Sequence, residues 1–203
     1  SINHIAEFNN KLYLATPFAI VVYDIEKLEF GDTYFIGSGS SSLKINQIAV
    51  FNSQIYAATE NGVFSADVTS NLLIDFNNWQ QQFPGRNFSQ ITAYNNQLYV
   101  VESGILHQFN GNTLNQIKSF SENIIALKPS VTHLSVTLNN TAKILDTTLN
   151  EVFSFTANSA FNFTLNNAFF ENNTVFLATN KFGLLSTSSF QSIHYSSRPI
   201  RTY

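Results

Sequence analysis

Cysteine and methionine are both missing from this sequence of 203 residues. Without cysteine the chain cannot form disulfide bonds, and it cannot bind zinc through thiolate ligands. Because methionine is absent, we expect the sequence to be a processed or excised piece of a longer gene product. No signal peptide is recognisable, and no apolar run reaches the roughly 18 residues of a transmembrane helix, so no membrane span is predicted.

Charged residues are also scarce. They make up 11% of the chain, whereas about a quarter is usual in globular domains. The 10 lysines and arginines are scattered singly and the formal net charge is -3. The sequence therefore has no basic patch, and nucleic acid is not expected as a partner. Hydrophobic residues account for 44% of the chain, which is enough to bury a sizeable core.

A repeated phrase is the main signal in the sequence. The stretch NHIAEFNNKLYLAT at 3–16 returns as NQIAVFNSQIYAAT at 46–59, and a third copy follows after the same interval of 43 residues. A weaker fourth copy lies at 124–136, and a fifth at 168–179 ends in the same LAT as the first. A fixed period of this length is typical of repeat architectures. Two sets of equivalent residues are predicted to form the repeated core: Ile5, Ile48 and Ile91, and Tyr13, Tyr56 and Tyr99.

Each copy predicts four short antiparallel strands. Side chains alternate between two faces with a period of two, as in KLYLAT at 11–16. Asparagine pairs such as Asn9–Asn10 and Asn95–Asn96 suit two-residue turns that need positive φ angles. Further strands are predicted at 19–25 and 32–37 in the first copy, and a weaker counterpart of the latter is predicted around 76–81 in the second copy. Four-stranded units of about 40 residues that pack against their neighbours are typical of propeller blades.

The predicted fold class is therefore all-β, a single-domain β-propeller with five four-stranded antiparallel blades. A β-sandwich does not keep a period of 43 residues over three copies, and a parallel β-helix has shorter coils. Five repeats in phase, with no spare strand, favour an arc of a larger ring of about seven blades over a closed five-bladed ring. The predicted repeats cover residues 1–43, 44–86, 87–119, 120–163 and 164–203.

No catalytic or metal site is predicted. The four histidines, His4, His107, His133 and His194, fall in different strands of their repeats, whereas a zinc site needs three or four converging ligands. The densest acidic cluster, around Asp24, is typical of a solvated turn. Neither a nucleophile elbow nor a phosphate-binding loop is present. We therefore expect no cofactor and no enzymatic activity.

Three aromatic residues are candidates for contact with a partner. Phe18 occupies the turn after the second strand, where the second repeat has Asn-Gly. Tyr34 and Trp79, the single tryptophan, lie in or near the outermost strands of their repeats. Aromatic residues at a surface favour interfaces, so we expect Phe18, Tyr34 and Trp79 either to pack within the fold or to bind a partner.

The segment INHIAEFNNKLYLATPFAIVVYDIEKLEFGDTYFIG at 2–37 resembles the amino-terminal propeller region of the PorZ-like proteins, which belong to the type IX secretion system of Bacteroidota. KLEFGDTYFIG at 27–37 is its most specific part, because strand formation alone does not require that particular order of residues. NLLIDFNNWQQ at 71–81 is similar to the same family, and RPIRTY at 198–203 resembles the exit from this propeller. A more distant similarity links the chain to sensor propellers of hybrid two-component regulators.

The resemblance implies a non-enzymatic scaffold at the cell surface, in an outer-membrane complex that attaches cargo proteins to lipopolysaccharide. Its partners would be proteins of that complex, with lipopolysaccharide or another glycan as a further partner. The alternative is a periplasmic, glycan-binding sensor propeller of a hybrid two-component regulator, and a third reading is a propeller enzyme such as a lyase or glycosidase. Because the innermost strands supply neutral groups, such as Asn3, Asn46 and Ser89, general acid–base chemistry is not expected there.

Overall fold

The computed structural model describes residues 1–157, 163–189 and 192–195, and these residues form five four-stranded antiparallel sheets. Each sheet is made of four consecutive strands, so the order of strands in the sheet follows the chain. This is the all-β propeller architecture predicted from the sequence. The segment at 198–203, which carried part of the resemblance, lies outside the described residues.

The strands are numbered along the chain. The first sheet consists of β1 (His4–Phe8), β2 (Lys11–Ala15), β3 (Ile20–Asp24) and β4 (Glu29–Tyr34). The second consists of β5 (Ile45–Phe51), β6 (Gln54–Thr59), β7 (Gly62–Asp67) and β8 (Gln80–Gln82). The third consists of β9 (Gln90–Tyr94), β10 (Gln97–Glu102), β11 (Ile105–Asn110) and β12 (Thr113–Ser119). The fourth consists of β13 (Ala126–Pro129), β14 (Leu134–Thr137), β15 (Thr141–Leu145) and β16 (Glu151–Thr156). The fifth consists of β17 (Leu165–Glu171), β18 (Thr174–Thr179), β19 (Leu184–Ser189) and β20 (Ser192–Tyr195).

The chain divides into two compact units. The first, Ser1–Ser119, contains the first three sheets, and the second, Phe120–Tyr203, contains the other two. In the part of the chain that the structure describes, no helix has the length and apolar composition needed to cross a bilayer.

The turns between the first two strands of a sheet have the predicted geometry. Asn9 and Asn10 have φ angles of 48° and 57°, and the equivalent pairs in the second, third and fifth sheets also have positive φ at both residues. Such turns match the twist of the flanking strands. The fourth sheet differs, as expected from its Pro129-Ser130, because β13 ends at Pro129 and β14 begins only at Leu134.

The predicted fourth strands begin in the wrong place in the first two sheets. In the first sheet, Leu28 adopts a φ of 56° and closes the turn early, so β4 spans Glu29–Tyr34 rather than 32–37. In the second sheet, residues 76–78 form a 3₁₀ turn in which the amide group of Asn77 donates to the Asp75 carboxylate. Only the three residues of β8 remain for the strand.

A threonine at the end of the second strand organises the following turn. The Thr16 hydroxyl donates to the carbonyl oxygen of Ala19 and accepts from its amide group. The buried Thr59 hydroxyl donates to the carbonyl oxygen of Gly62 at 2.8 Å, and Thr179 makes the matching bond to Gly183 at 2.9 Å. The repeated threonine therefore links the second and third strands in these three sheets.

Apolar side chains fill the spaces between neighbouring sheets in the first unit. Tyr13 and Val22 of the first sheet pack in one buried cluster with Ile48 and Phe64 of the second sheet. A second cluster joins the opposite face of the second sheet to the third, and it includes Val63, Phe88, Ile91 and Val100. In the second unit, the fourth and fifth sheets share a cluster of Ala142, Ile144, Leu165, Ala168, Val175 and Leu177.

The prediction that Ile5 belongs to the buried repeat core is wrong. Its side chain is 51% exposed, whereas Ile48 and Ile91 at the equivalent positions are buried. Ile48 and Ile91 point toward the preceding sheet of the first unit, whereas Ile5 alternates with Ala6 and so lies on the face of the first sheet that points away from the second. Of the repeated tyrosines, Tyr13 and Tyr99 are buried and Tyr56 is half-buried.

Candidate functional site

Phe18 is an exposed aromatic residue at the β2–β3 turn of the first sheet. Its side chain is 45% exposed, and its ring centroid lies 6.2 Å from that of Phe35. The turn that holds it is hydrogen-bonded, since the amide group of Phe18 also donates to the Thr16 hydroxyl. Phe18 is therefore available for contact with a partner.

Tyr34 and Trp79 are not available, and the expectation of partner contact is corrected for both. They are 6% and 7% exposed, and their ring centroids lie 6.3 Å apart in the space between the first and second sheets. The indole nitrogen of Trp79 donates to the carbonyl oxygen of Leu73 at 2.9 Å. Burial raises the pKa of the Tyr34 phenol to about 12, with smaller contributions from Tyr13 and Asp32. Both residues hold the two sheets together.

The histidines whose side chains the structure describes lie beside different neighbours. His4 lies on β1 with its Nε2 atom 3.4 Å from Nε2 of Gln47, and the His133 ring packs 4.1 Å from the ring of Phe170. The side chain of His194 lies outside the described residues. Within the described part of the chain, no group of three or more His, Asp or Glu side chains is arranged to bind a metal ion.

One cluster of charged and titratable side chains was missed from the sequence. Arg86 forms a two-pronged ion pair with Glu102, in which Nε donates to Oε1 at 2.9 Å and Nη2 donates to Oε2. The guanidinium also lies over the rings of Phe83 and Phe88, with Cζ 5.6 and 5.4 Å from their centroids. His107 is buried nearby on β11 and interacts electrostatically with both charges.

The spacing of 43 residues contains the signal that would have revealed this cluster. Glu102 occupies the position of Thr16 and Thr59, the threonines that organise the β2–β3 turns. His107 occupies the position of Phe64 in the preceding copy. A charged or titratable residue at a position that is otherwise structural marks a local departure from the repeat.

The electrostatics of the cluster follow from its geometry. The hydrogen bond from Arg86 lowers the pKa of the Glu102 carboxyl group. Burial lowers the pKa of His107, and Arg86 acts in the same direction while Glu102 opposes it. At neutral pH the cluster therefore consists of an ion pair and a neutral imidazole. Because Glu102 is occupied by Arg86 and the imidazole is buried, the arrangement does not present an acid–base pair to a substrate.

The second unit contains a cavity of about 620 Å³ between the fourth and fifth sheets. The loop before β14 contributes Ser130, Val131 and Thr132, and the β17–β18 turn contributes Glu171 and Asn172. Phe170 at its edge is buried under His133. The lining therefore offers hydroxyl, amide and carboxylate groups without an exposed aromatic surface.

A comparison with protein-family models matches residues 1–80 to the type IX secretion system PorZ N-terminal β-propeller domain. The resemblance stated from the sequence is thus confirmed over that segment, which includes KLEFGDTYFIG at 27–37. A comparison with curated proteins finds no match.

Solved structures show the same fold. PorZ, described as an essential bacterial surface component of the type IX secretion system of Porphyromonas gingivalis, matches with a TM-score of 0.75 and 17% identity. The match covers 100% of this chain and 26% of that one. The extracellular domain of a protein described as a hybrid two component system, from B. thetaiotaomicron, matches with a TM-score of 0.68 and 12% identity over 100% of this chain and 28% of its own. The computationally designed Ika8 protein matches with a TM-score of 0.66 and 12% identity, over 96% of this chain and 61% of its own. The chain thus spans about a quarter of the first two proteins.

Proposed function

We propose that this chain is a non-enzymatic interaction module of a PorZ-like component of the type IX secretion system, located at the cell surface. The observation that carries the proposal is the match of residues 1–80 to the PorZ amino-terminal propeller. In this proposal the chain contacts other proteins of an outer-membrane attachment complex, which transfers cargo to lipopolysaccharide.

The chemistry of the described residues supports a binding role over catalysis. The cluster of charged and titratable groups formed by Arg86, Glu102 and His107 uses its carboxylate for an internal ion pair. Phe18 instead presents an exposed aromatic ring on a hydrogen-bonded turn, which suits contact with a protein partner.

The alternative function, a periplasmic glycan sensor, would need carboxamides free to bind sugar hydroxyl groups. The Nδ2 atom of Asn3 donates to the carbonyl oxygen of Ile45, and the Nδ2 atom of Asn46 donates to that of Phe88, each at 2.8 Å. These amides therefore join neighbouring sheets. The likeness to the two-component protein supports the fold alone, so we favour the secretion role.

Deleting the gene in the organism that encodes the chain separates the two functions. If the proposal is correct, cargo proteins appear in the medium instead of on the cell surface, and a plasmid copy restores their attachment. If the chain belongs to a sensor, secretion continues and the transcription of glycan-utilisation genes changes instead. That second result would contradict the proposal.

A point variant then tests the contact surface. We expect Phe18→Asp in the complementing copy to reduce cargo attachment while the protein accumulates normally, because the side chain is exposed. Val131→Asp is the matched control, since Val131 is exposed on a loop of the second unit and carries no proposed contact. Equal attachment with both variants would remove Phe18 from the surface but would leave the secretion role standing.

A further inference from the structure

The cluster of Arg86, Glu102 and His107 lies between the second and third sheets. It is located at the end of these sheets that carries the turns β6–β7 and β10–β11. His107 pairs with Val100 across the third sheet, on the face that packs against the second sheet. Its side chain is 7% exposed, and neither ring nitrogen has a hydrogen-bond partner among the described residues. A buried imidazole without hydrogen-bond partners is costly, because most buried polar groups in proteins have at least one partner.

Arg86 belongs to a loop at 83–88 that fastens the second sheet to the third. The amide group of Gly62 donates to the Arg86 carbonyl oxygen at 2.6 Å, and the amide group of Phe88 donates to that of Thr59 at 2.9 Å. The ion pair to Glu102 attaches the same loop to the end of β10. The loop is thus bonded to both sheets, and its contact with the end of β10 is an ion pair that depends on charge.

We propose that Arg86, Glu102 and His107 form an acid-sensitive latch between the second and third sheets, in which protonation of His107 releases the loop at 83–88. The neutral imidazole leaves Glu102 entirely to Arg86. When His107 takes one proton from solvent, it becomes a cation with two N–H donors and needs an acceptor. Glu102 is the carboxylate that acts on it electrostatically, so the imidazolium competes with Arg86 for it.

Among the residues that the structure describes, no other charged group facing His107 is positioned to take over this role. On the strands beside it, β10 contributes Glu102 and β12 places Gln116 opposite the imidazole. Lys118 is paired with Leu106 and lies on the other face of the sheet. The facing second sheet contributes the neutral residues Val63 and Ser65, and the loop contributes Arg86. Repulsion from Arg86 therefore favours its departure once His107 is charged.

The pH range of the latch follows from the direction of the shift. The pKa of His107 is lowered in the folded protein, from an ordinary value of 6.5. Its neutral form therefore stabilises the fold fully above pH 6.5, and this stabilisation is lost as the pH falls from 6.5 through the folded pKa. Loss of the Glu102 ion pair by protonation of the carboxylate would occur only at lower pH, below its ordinary value of 4.5.

Amide hydrogen exchange of the intact chain measures release of the loop. Between about pH 7.5 and pH 5, corrected for intrinsic rates, we expect exchange at Gly62 and Phe88 to rise about tenfold, whereas amides in the fifth sheet stay protected. His107→Phe should abolish the rise, because phenylalanine is the residue at the equivalent position, Phe64, and does not titrate. His133→Phe is the matched control and should leave the rise unchanged.

A measurement on the unaltered chain covers the case in which His107→Phe does not fold. The imidazole resonances of the four histidines, followed by NMR, should show one histidine with a pKa below 6.5 whose titration coincides with the increase in exchange at Gly62. A rise that persists in His107→Phe overturns the latch. A loop that stays protected while His107 titrates overturns it equally.

Discussion

At the scale of single residues, burial of Tyr34 makes a specific prediction for alkaline solution. Its pKa is raised to about 12 from an ordinary 10.0, so its neutral form stabilises the fold fully below pH 10. That stabilisation is lost as the pH rises from 10 through 12. We expect denaturant unfolding to show a steeper decline of stability over this range for the unaltered chain than for Tyr34→Phe. Equal declines would mean that the phenol is accessible to water in the folded protein.

Trp79 supports a second prediction about the same space between sheets. Trp79→Phe removes the indole hydrogen bond, leaves the carbonyl oxygen of buried Leu73 without that donor, and removes part of the packing against Tyr34. We expect a loss of about 1–3 kcal/mol in the free energy of unfolding, measured by urea titration. Phe30→Leu is the control, because Phe30 is exposed and should cost little. A Trp79→Phe variant as stable as the control would contradict the buried assignment.

These residues also show what the sequence does not reveal. Period-two alternation identifies which side chains share a face, and it correctly groups Ile5 with Ile48 and Ile91. The alternation does not predict whether another sheet covers that face. Ile5 is exposed because its face of the first sheet is not covered. Similarly, Tyr34 and Trp79 lie in or next to outer strands in the sequence. Their side chains are buried between the first and second sheets, and this burial depends on how the sheets pack, which the sequence does not show.

At the scale of elements, the repeated threonine gives a paired test. Thr59→Val removes a hydroxyl that binds the carbonyl oxygen of Gly62 and the amide group of Asn61. Because those groups then lose a buried partner, we expect the free energy of unfolding to fall by about 1–3 kcal/mol. Thr137→Val is the matched control, since the buried Thr137 hydroxyl has no hydrogen-bond partner among the described residues.

The control should be neutral or stabilising, because replacing an unpartnered buried hydroxyl with a methyl group removes a desolvation penalty. Thermal and urea unfolding of both variants give the comparison. If Thr59→Val costs no more than Thr137→Val, the threonine does not organise the turn, and its recurrence at Thr16 and Thr179 has another cause.

Some of the turns between strands could be predicted from the sequence, and others could not. Asn-Asn or Asn-Ser pairs identify the first turn in every sheet except the fourth, because few other residues tolerate positive φ as readily as asparagine. The turn before β4 depends on Leu28 at a φ of 56°. A leucine in the sequence does not predict that conformation. The 3₁₀ turn after Asp75 was also missed, although aspartate is a preferred capping residue at the start of a helical turn.

At the scale of the whole molecule, the repeat period predicted the number and type of sheets, because each sheet needs a similar neighbour to bury its faces. The charged cluster was not predicted, because Arg86 lies on the loop before the third sheet and meets Glu102 and His107 only when the second and third sheets pack. Comparing the copies position by position would have marked two of its three members. Repeat proteins therefore reveal their structural positions by recurrence and their special positions by its absence.

The prediction that the five sheets form an open arc of a larger ring can be tested by cysteine labelling, since the chain contains no cysteine. A thiol placed at position 5 reports whether anything covers the outer face of the first sheet. Ile5→Cys should react with a water-soluble thiol reagent almost as fast as in the unfolded chain, because Ile5 is 51% exposed. Ile48→Cys and Ile91→Cys are the matched controls, and burial between sheets should slow their labelling by several orders of magnitude, in proportion to how rarely the sheets separate. Slow labelling of Ile5→Cys in a monomer, established by sedimentation, would show that the first sheet is covered within one molecule and that the ring closes with five blades. Rapid labelling in this chain, together with protection in the complete gene product, would show that a further sheet packs on Ile5 as the first sheet packs on Ile48.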